Sequence, residues 1–224
     1  MRTISKPSGL PIFSETPTGD SVVTRLFAED PWRRAIAWPQ GFGAGLAHRV
    51  DVTTSGALLV ADTLDELRYL RAWLAEGRFA RTYVFRAGGP AGWAAPAWTT
   101  SQCDLPVAYS REGAVRAVLR TRSGLPHRGE WVAATTRFQH LGDDRYAAFA
   151  STLAQHQIRV HAAQIGIPLL GDVLYGGAEP AAGTPANRSF FLHHVGMVGP
   201  AGIHTEPVPA PAWVGDLRGL QPVG

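Results

Sequence analysis

The chain has 224 residues, of which 45% are hydrophobic and 17% charged, with 21 Lys and Arg against 18 Asp and Glu and a net charge of +3. That balance is globular and long enough to bury a good core, and no apolar run approaches the roughly 18 residues that a membrane span needs. Cys103 is the sole cysteine, which excludes an internal disulfide and a cysteine-built zinc site. Together with the lack of an apolar signal segment in MRTISKPSG, it predicts a reducing, cytoplasmic setting.

Residues 2–13 (RTISKPSGLPIF) read as a short strand followed by a Pro/Gly turn. Residues 21–29 (SVVTRLFAE) place Val22, Val23, Leu26 and Phe27 at helical spacing, consistent with one short helix over a core face. A Pro-, Gly- and Trp-rich loop then leads to residues 46–61, LAHRVDVTTSGALLVA. Here a charged, hydroxyl-rich turn runs directly into an apolar stretch. Val52, Thr53 and Thr54 are stiff at the side chain, Gly56 is conformationally free, and residues 57–61 read as a buried strand. Asp51, flanked by His48 and Arg49, is a single carboxylate in a basic setting on a rigid strand edge, as a chemically active group is usually held. An Asp in a Thr/Ser/Gly turn also serves as a turn-former that bonds its own backbone, and the residues alone leave both readings open.

Thr63-x-x-Glu66 has capping-box form ahead of Leu64, Leu67, Leu70, Trp73 and Leu74, which predicts an amphipathic helix stopped at Gly77. Residues 78–85 (RFARTYVF) follow as a strand in which Tyr83 is either an ordinary strand aromatic or a site residue. Residues 88–98 form a loop whose Trp93 and Trp98 suit packing or surface contact. Arg111, Arg116, Arg120 and Arg122 make the densest local basic patch, fit for an RNA backbone or for a solvated face. Residues 130–141 and 145–150, around Gly142-Asp143-Asp144, read as a hairpin. Residues 151–161 (STLAQHQIRVH) read as a turn into a helix ending near Gly166, where spacing alone makes Arg159 a surface charge.

Several other constellations are discounted. His156 and His161 are five apart and do not share a helix face, while His193 and His194 point to opposite faces of a strand, so no metal is expected. Ser55, His48 and Asp51 have the letters of a triad but lie within eight residues, whereas triads assemble from separated segments. Asp51 and Asp172 could supply two carboxylates to a glycoside hydrolase, yet nothing in the spacing positions the second. There is no phosphate loop of P-loop or dinucleotide type, and no cofactor is expected.

The string HRVDVTTSGALLVA resembles the HRLD-x-x-TSG-LLL-x-A signature of the RluA-like family of RNA pseudouridine synthases, with Val50 in place of the usual Leu. Further resemblances follow in family order: KPSGL to KPAGL, Arg-Thr-Tyr83 to K/R-x-Y, HQIRVH to the end of TGRTHQIRVHL, and GDVLYG to GDPLYG. FFLHHV is similar to the terminal LHA-x-x-L strand. One departure stands out, since Leu153-Ala154 replaces the Gly-Arg of the family motif. The resemblance implies that Asp51 is catalytic, that Tyr83 lies against the target base, and that Arg159 pairs with Asp51 and favours its ionised form. It further implies that Ile158 lines the base pocket, that Arg49 fills the vacated base stack with His48 beside it, and that GDVLYG is structural.

The implied fold is α+β: a mixed, mainly antiparallel sheet with flanking helices and a central cleft. The expectation is a single catalytic domain over residues 1–224 without a separate N-terminal RNA-binding module, monomeric and free of membranes. The implied activity is isomerisation of a uridine in ribosomal or transfer RNA to pseudouridine. A catalytically inactive RNA-binding or RNA-folding protein on the same fold stays open, motivated by Leu153-Ala154, as does an enzyme acting on a free nucleoside or nucleotide. The Arg-rich, Lys-poor composition is compatible with RNA, because guanidinium forks suit phosphate and stack on bases.

Overall fold

The computed structural model describes residues 1–16, 18–111, 117–119, 126–152, 154–180, 189–218 and 220. The chain opens with strand β1 (Arg2–Lys6) and helix α1 (Val22–Glu29), whose N-terminus is closed by a reciprocal capping box between Ser21 and Thr24. Strand β2 (Ser55–Val60) is buried along its whole length because both of its faces are covered. Leu58 and Val60 pack with Val22, Val23 and Leu26 of α1. The alternate residues Leu59 and Ala61 pack with Leu67, Leu70 and Leu74 of helix α2 (Leu64–Ala75). The period-2 side-chain alternation of one strand thus joins two helices on opposite sides of it.

Strands β3 (Ala80–Arg86), β4 (Thr100–Cys103), β5 (Val107–Ser110), β6 (Ala117–Leu119), β7 (His127–Val132), β8 (Thr136–Gly142) and β9 (Arg145–Ala150) come next. Helix α3 (Gln157–Gln164) and strand β10 (Leu192–Val198) complete the fold. A seven-stranded sheet runs in the order β1-β2-β10-β3-β9-β8-β4, and a smaller sheet in the order β6-β5-β7. In the large sheet only the β2–β10 pair is parallel, with His193 opposite Ser55 and His194 opposite Gly56. This is a mixed, mainly antiparallel α+β fold, as the sequence implied. Helix α3 lies on the large sheet, with Ile158 and Ala162 among Tyr83, Phe85, Phe138 and Tyr146.

Two local readings are corrected. The capping box predicted at Thr63 is half formed: Thr63 Oγ1 accepts from the Glu66 amide at 3.2 Å, but Glu66 Oε2 accepts from the Asp62 amide at 2.7 Å and pairs with the N-terminal amine at 3.0 Å. The nearby positive charge draws the carboxylate away from the Thr63 amide. The stretch 130–141 divides, since Glu130, Trp131 and Val132 belong to β7 of the small sheet and the hairpin with β9 starts only at Thr136. Gln157 Nε2 donates to Thr135 O and to Thr136 Oγ1, both at 3.0 Å, which takes the chain off one sheet before it enters the other. Arg116, Arg120 and Arg122 of the basic patch, and Leu153 of the motif departure, lie outside the described residues.

Gly56 sits where β2 crosses closest to β10. Its φ is +123°, and a Cβ there would lie 2.0 Å from the His194 carbonyl oxygen. Both the backbone angle and the space exclude a larger residue. Gly56→Ala is therefore expected to destabilise the fold by about 3 kcal/mol or more, read as a lowered midpoint in urea denaturation. An unchanged midpoint would show that the strand pair can part without cost.

Candidate active site

The turn at residues 51–54 is held by the segment that follows β1. Thr54 N–H closes the turn on Asp51 O at 3.0 Å, and the remaining carbonyls are taken from across the gap. Lys6 Nζ donates to Val52 O at 2.6 Å, Thr54 O at 2.7 Å and Pro7 O at 3.1 Å, Ser8 Oγ donates to Thr53 O at 2.7 Å, and Gly9 N–H donates to Val52 O at 2.9 Å. Lys6 is the only lysine of the chain. A compact ammonium with three rotatable donors fits three converging carbonyls, whereas the planar guanidinium used everywhere else would not. Burial lowers the Lys6 pKa to about 8, with Asp51 acting in the opposite direction, so the ammonium persists at neutral pH. The backbone of the turn is thereby fixed, and the Asp51 carboxylate projects into a cavity of about 890 Å³.

Across that cavity stands Arg159 of α3. Its Nη1 donates to Asp51 Oδ2 at 3.1 Å, while Nε and Nη2 grip the two oxygens of Asp172 at 2.6 and 2.8 Å. The guanidinium plane is also covered by Phe190, 4.3 Å from the ring centroid, and by Tyr175 at 5.0 Å. Burial opposes the charge of Arg159, but the hydrogen-bonded Asp172 and the nearby Asp51 outweigh it and raise the pKa. The two carboxylates are not equivalent. The Asp172 side chain is 2% exposed with both oxygens engaged, whereas that of Asp51 is 29% exposed. Only Asp51 is available to a substrate, so the pair does not offer the two working carboxylates of glycoside hydrolysis.

The cavity is lined by all six residues singled out in the sequence: His48, Arg49, Asp51, Tyr83, Ile158 and Arg159. Tyr83 and Ile158 are buried and supply an aromatic and an aliphatic wall. The Tyr83 ring lies 4.7 Å from His194, and its hydroxyl accepts from Arg81 Nη1 at 3.2 Å. His48 is tied inward, where Nε2 accepts the Leu59 amide at 3.1 Å, which leaves the proton on Nδ1. Arg49 is exposed at the mouth.

Sequence reasoning missed Asp172, His156, Tyr175 and Phe190 as parts of this site. Asp172 was assigned with its GDVLYG segment to a structural role, but the signal was present as a lone acid inside the otherwise apolar stretch 167–175. His156 enters through Nε2, 3.7 Å from Asp51 Oδ1, and its Nδ1 lies 2.9 Å from the Tyr175 hydroxyl. The chain can thus place one carboxylate, fixed by a buried guanidinium, in a cavity whose lining includes an aromatic and an aliphatic side chain. No metal-ligating cluster of His, Cys, Asp and Glu occurs among the described residues.

Behind the site, burial drives His48 well below the usual histidine range, His193 to about 4 and His194 to about 3. His193 shares a 2.9 Å hydrogen bond with Ser55 Oγ, and His194 Nδ1 lies 2.6 Å from Ala57 O, so all three are held neutral in the fold. Because their folded pKa values lie below the unfolded one, the unfolded chain binds more protons between them. Stability is then complete above about pH 6.5 and is lost as pH falls toward 4 and 3. Near pH 5 His193 and His194 alone put two protons at stake, on the order of 3 kcal/mol per pH unit, and His48 acts in the same direction. Urea midpoints measured from pH 7.5 to 4.5 are expected to be flat at first and then to fall steeply. A flat profile throughout would mean that these rings are protonated without cost.

A sequence profile of the RNA pseudouridylate synthase family matches residues 3–164. Over 218 residues the chain is 29% identical to the RNA pseudouridine synthase slr1629 of Synechocystis sp., covering 93% of this chain and 62% of that protein. Over 187 residues it is 28% identical to the dual-specificity RNA pseudouridine synthase RluA of Escherichia coli, covering 81% and 76% of the two chains. Among solved structures it superposes on human RNA pseudouridylate synthase domain containing 1 with a TM-score of 0.65 at 20% identity, covering 85% of this chain and 74% of that one. The likeness of the human structure bears on the fold, and the profile match over most of the chain decides the lineage: this chain belongs to the RluA-like family of RNA pseudouridine synthases.

Proposed function

We propose that this chain isomerises a specific uridine in ribosomal or transfer RNA to pseudouridine with Asp51 as its one catalytic carboxylate, acting as a monomeric, single-domain enzyme in the cytoplasm. The observation that carries the reading is the division of labour around Arg159. Asp172 takes up two of its three nitrogens, so the third can hold Asp51 Oδ2 and leave Asp51 facing the cavity.

In the reaction the N1–C1′ bond breaks, the uracil turns while held, and C5 bonds to C1′. The proton leaves C5 and N1 gains one, so the base changes its point of attachment without change in composition. Asp51 acts at the ribose, as a nucleophile at C1′ or as a base on the sugar. Tyr83 stacks on the uracil, Ile158 closes the pocket on an apolar side, and the enclosed pocket keeps the detached base from diffusing away. A uridine within a stem must leave its stack to reach Asp51, at roughly a few kcal/mol. Arg49, exposed at the cavity mouth, fills the vacated place. No cofactor enters this chemistry.

The test is release of tritium from RNA carrying [5-³H]uridine, since only bonding at C5 expels that hydrogen. The purified protein is expected to release it from an RNA pool of ribosomal and transfer species. Release from neither, at enzyme concentrations that bind the RNA, would count against the activity.

A further inference from the structure

We propose that His156 is a positioning residue for Asp51: its Nε2–H faces Asp51 Oδ1 and, opposite Arg159 at Oδ2, completes a two-sided hold on the carboxylate. This deepens the pseudouridine synthase reading and rests on it. The geometry starts with the backbone. His156 precedes α3 in the left-handed region, with φ 54° and ψ 18°, a conformation uncommon for a residue with a side chain. That turn points the imidazole back over the cavity instead of along the helix, and His156 is one of the lining residues.

Both ring nitrogens have assigned faces. Nε2 lies 3.7 Å from Asp51 Oδ1, and because a carboxylate can only accept, a hold on it requires the proton on Nε2. Nδ1 lies 2.9 Å from the Tyr175 hydroxyl, which can donate to it. The Tyr175 oxygen itself accepts the Ala117 amide at 2.8 Å, a contact that does not use the hydroxyl proton, which can therefore be given to His156 Nδ1. A line of donors thus runs from the small sheet through Tyr175 and His156 to the oxygen of Asp51 that Arg159 does not hold. An approach of less than about 1 Å brings Nε2 into full hydrogen-bond range. The charged and titratable groups facing the ring are Asp51, Arg159, Asp172 and Tyr175. Burial and, less strongly, Arg159 favour the neutral ring, against the pull of Asp51 and Asp172. Neutral imidazole suffices, because the hold needs one N–H and not a charge.

The experiment uses His156→Asn, since Asn tolerates the left-handed backbone and is too short to reach Asp51. The expected result is a kcat about tenfold lower with KM changed less than twofold, as for loss of a hydrogen bond to a charged group. In parallel, ¹⁵N spectra of the full chain report the His156 ring, assigned by its disappearance in His156→Asn. The expected form is the Nε2–H tautomer, with a titration midpoint that falls by about one pH unit in Asp51→Asn, where the attracting carboxylate is gone. An Nδ1–H tautomer, a midpoint unmoved by Asp51→Asn, or wild-type kcat in His156→Asn overturns the proposal. If the spectra behave as expected while the protein makes no pseudouridine, the pairing stands and the reading of the activity is what fails.

Discussion

Asp51→Asn is expected to abolish conversion of uridine, with a loss of at least about a thousandfold, while leaving RNA affinity and the fold essentially intact. Asparagine keeps the size of the side chain and removes the charge, the nucleophile and the base in one step. The fold is spared because the turn at residues 51–54 is held through its backbone by hydrogen bonds from Lys6, Ser8 and Gly9, none of which uses the Asp51 side chain. Arg159 also retains its paired hydrogen bonds to Asp172. Single-turnover conversion, filter binding and a urea melt on the same preparation separate the three effects. Activity within tenfold of wild type would place the chemistry on another residue.

Asp172→Ala is expected to behave differently, losing both stability and activity. Arg159 is buried between Phe190 and Tyr175, and removing its principal counter-charge leaves a cation without solvent to replace it. Breaking one side of a buried pair costs about 3–5 kcal/mol, which corresponds to a fall of roughly 10 °C in Tm for a chain of this size. The freed guanidinium also loses its orientation toward Asp51, so the surviving folded fraction should be slow. The contrast is the informative part: one carboxylate is expected to matter for chemistry and scarcely for folding, the other for both. Equal stability losses in Asp51→Asn and Asp172→Ala would show that the two share a structural role and that Asp51 is not set apart.

Much of this arrangement was legible in the chain because local physics dominates there. The apolar run of residues 57–61 and the leucine spacing of α2 are local patterns, and a buried strand and a helix lie over them. Tyr83 and Arg159 could not be weighed in that way, and the family resemblance rather than periodicity brought them forward. Periodicity makes Arg159 a surface charge, yet residues 157–162 of α3 are all buried. The polar members of that helix are satisfied one by one. Gln157 donates to Thr135 O and Thr136 Oγ1, His161 contacts Thr136 Oγ1 and Leu105 O, and Arg159 meets two aspartates. Partners 13 and 108 positions away leave no trace in the helix's own spacing. The role of Asp172 is hidden for the same reason, since it exists only once Arg159 is in place.

Lys6 is the opposite case. A single lysine in an Arg-rich chain carried a message about three converging carbonyls that composition alone did not decode. The small sheet shows the limit from the other side. Its strand β7 has the same β-rich composition as β8, and only the Gln157 contacts at residues 135–136 explain why the two part.

The most direct test of the central claim is site-resolved pseudouridine mapping of total RNA from cells with the wild-type protein, cells without it, and cells carrying Asp51→Asn. One or a few sites in ribosomal or transfer RNA, present in the first and lost equally in the other two, is the predicted result. A map identical in all three, or a site that survives Asp51→Asn and vanishes only with the whole protein, would contradict it.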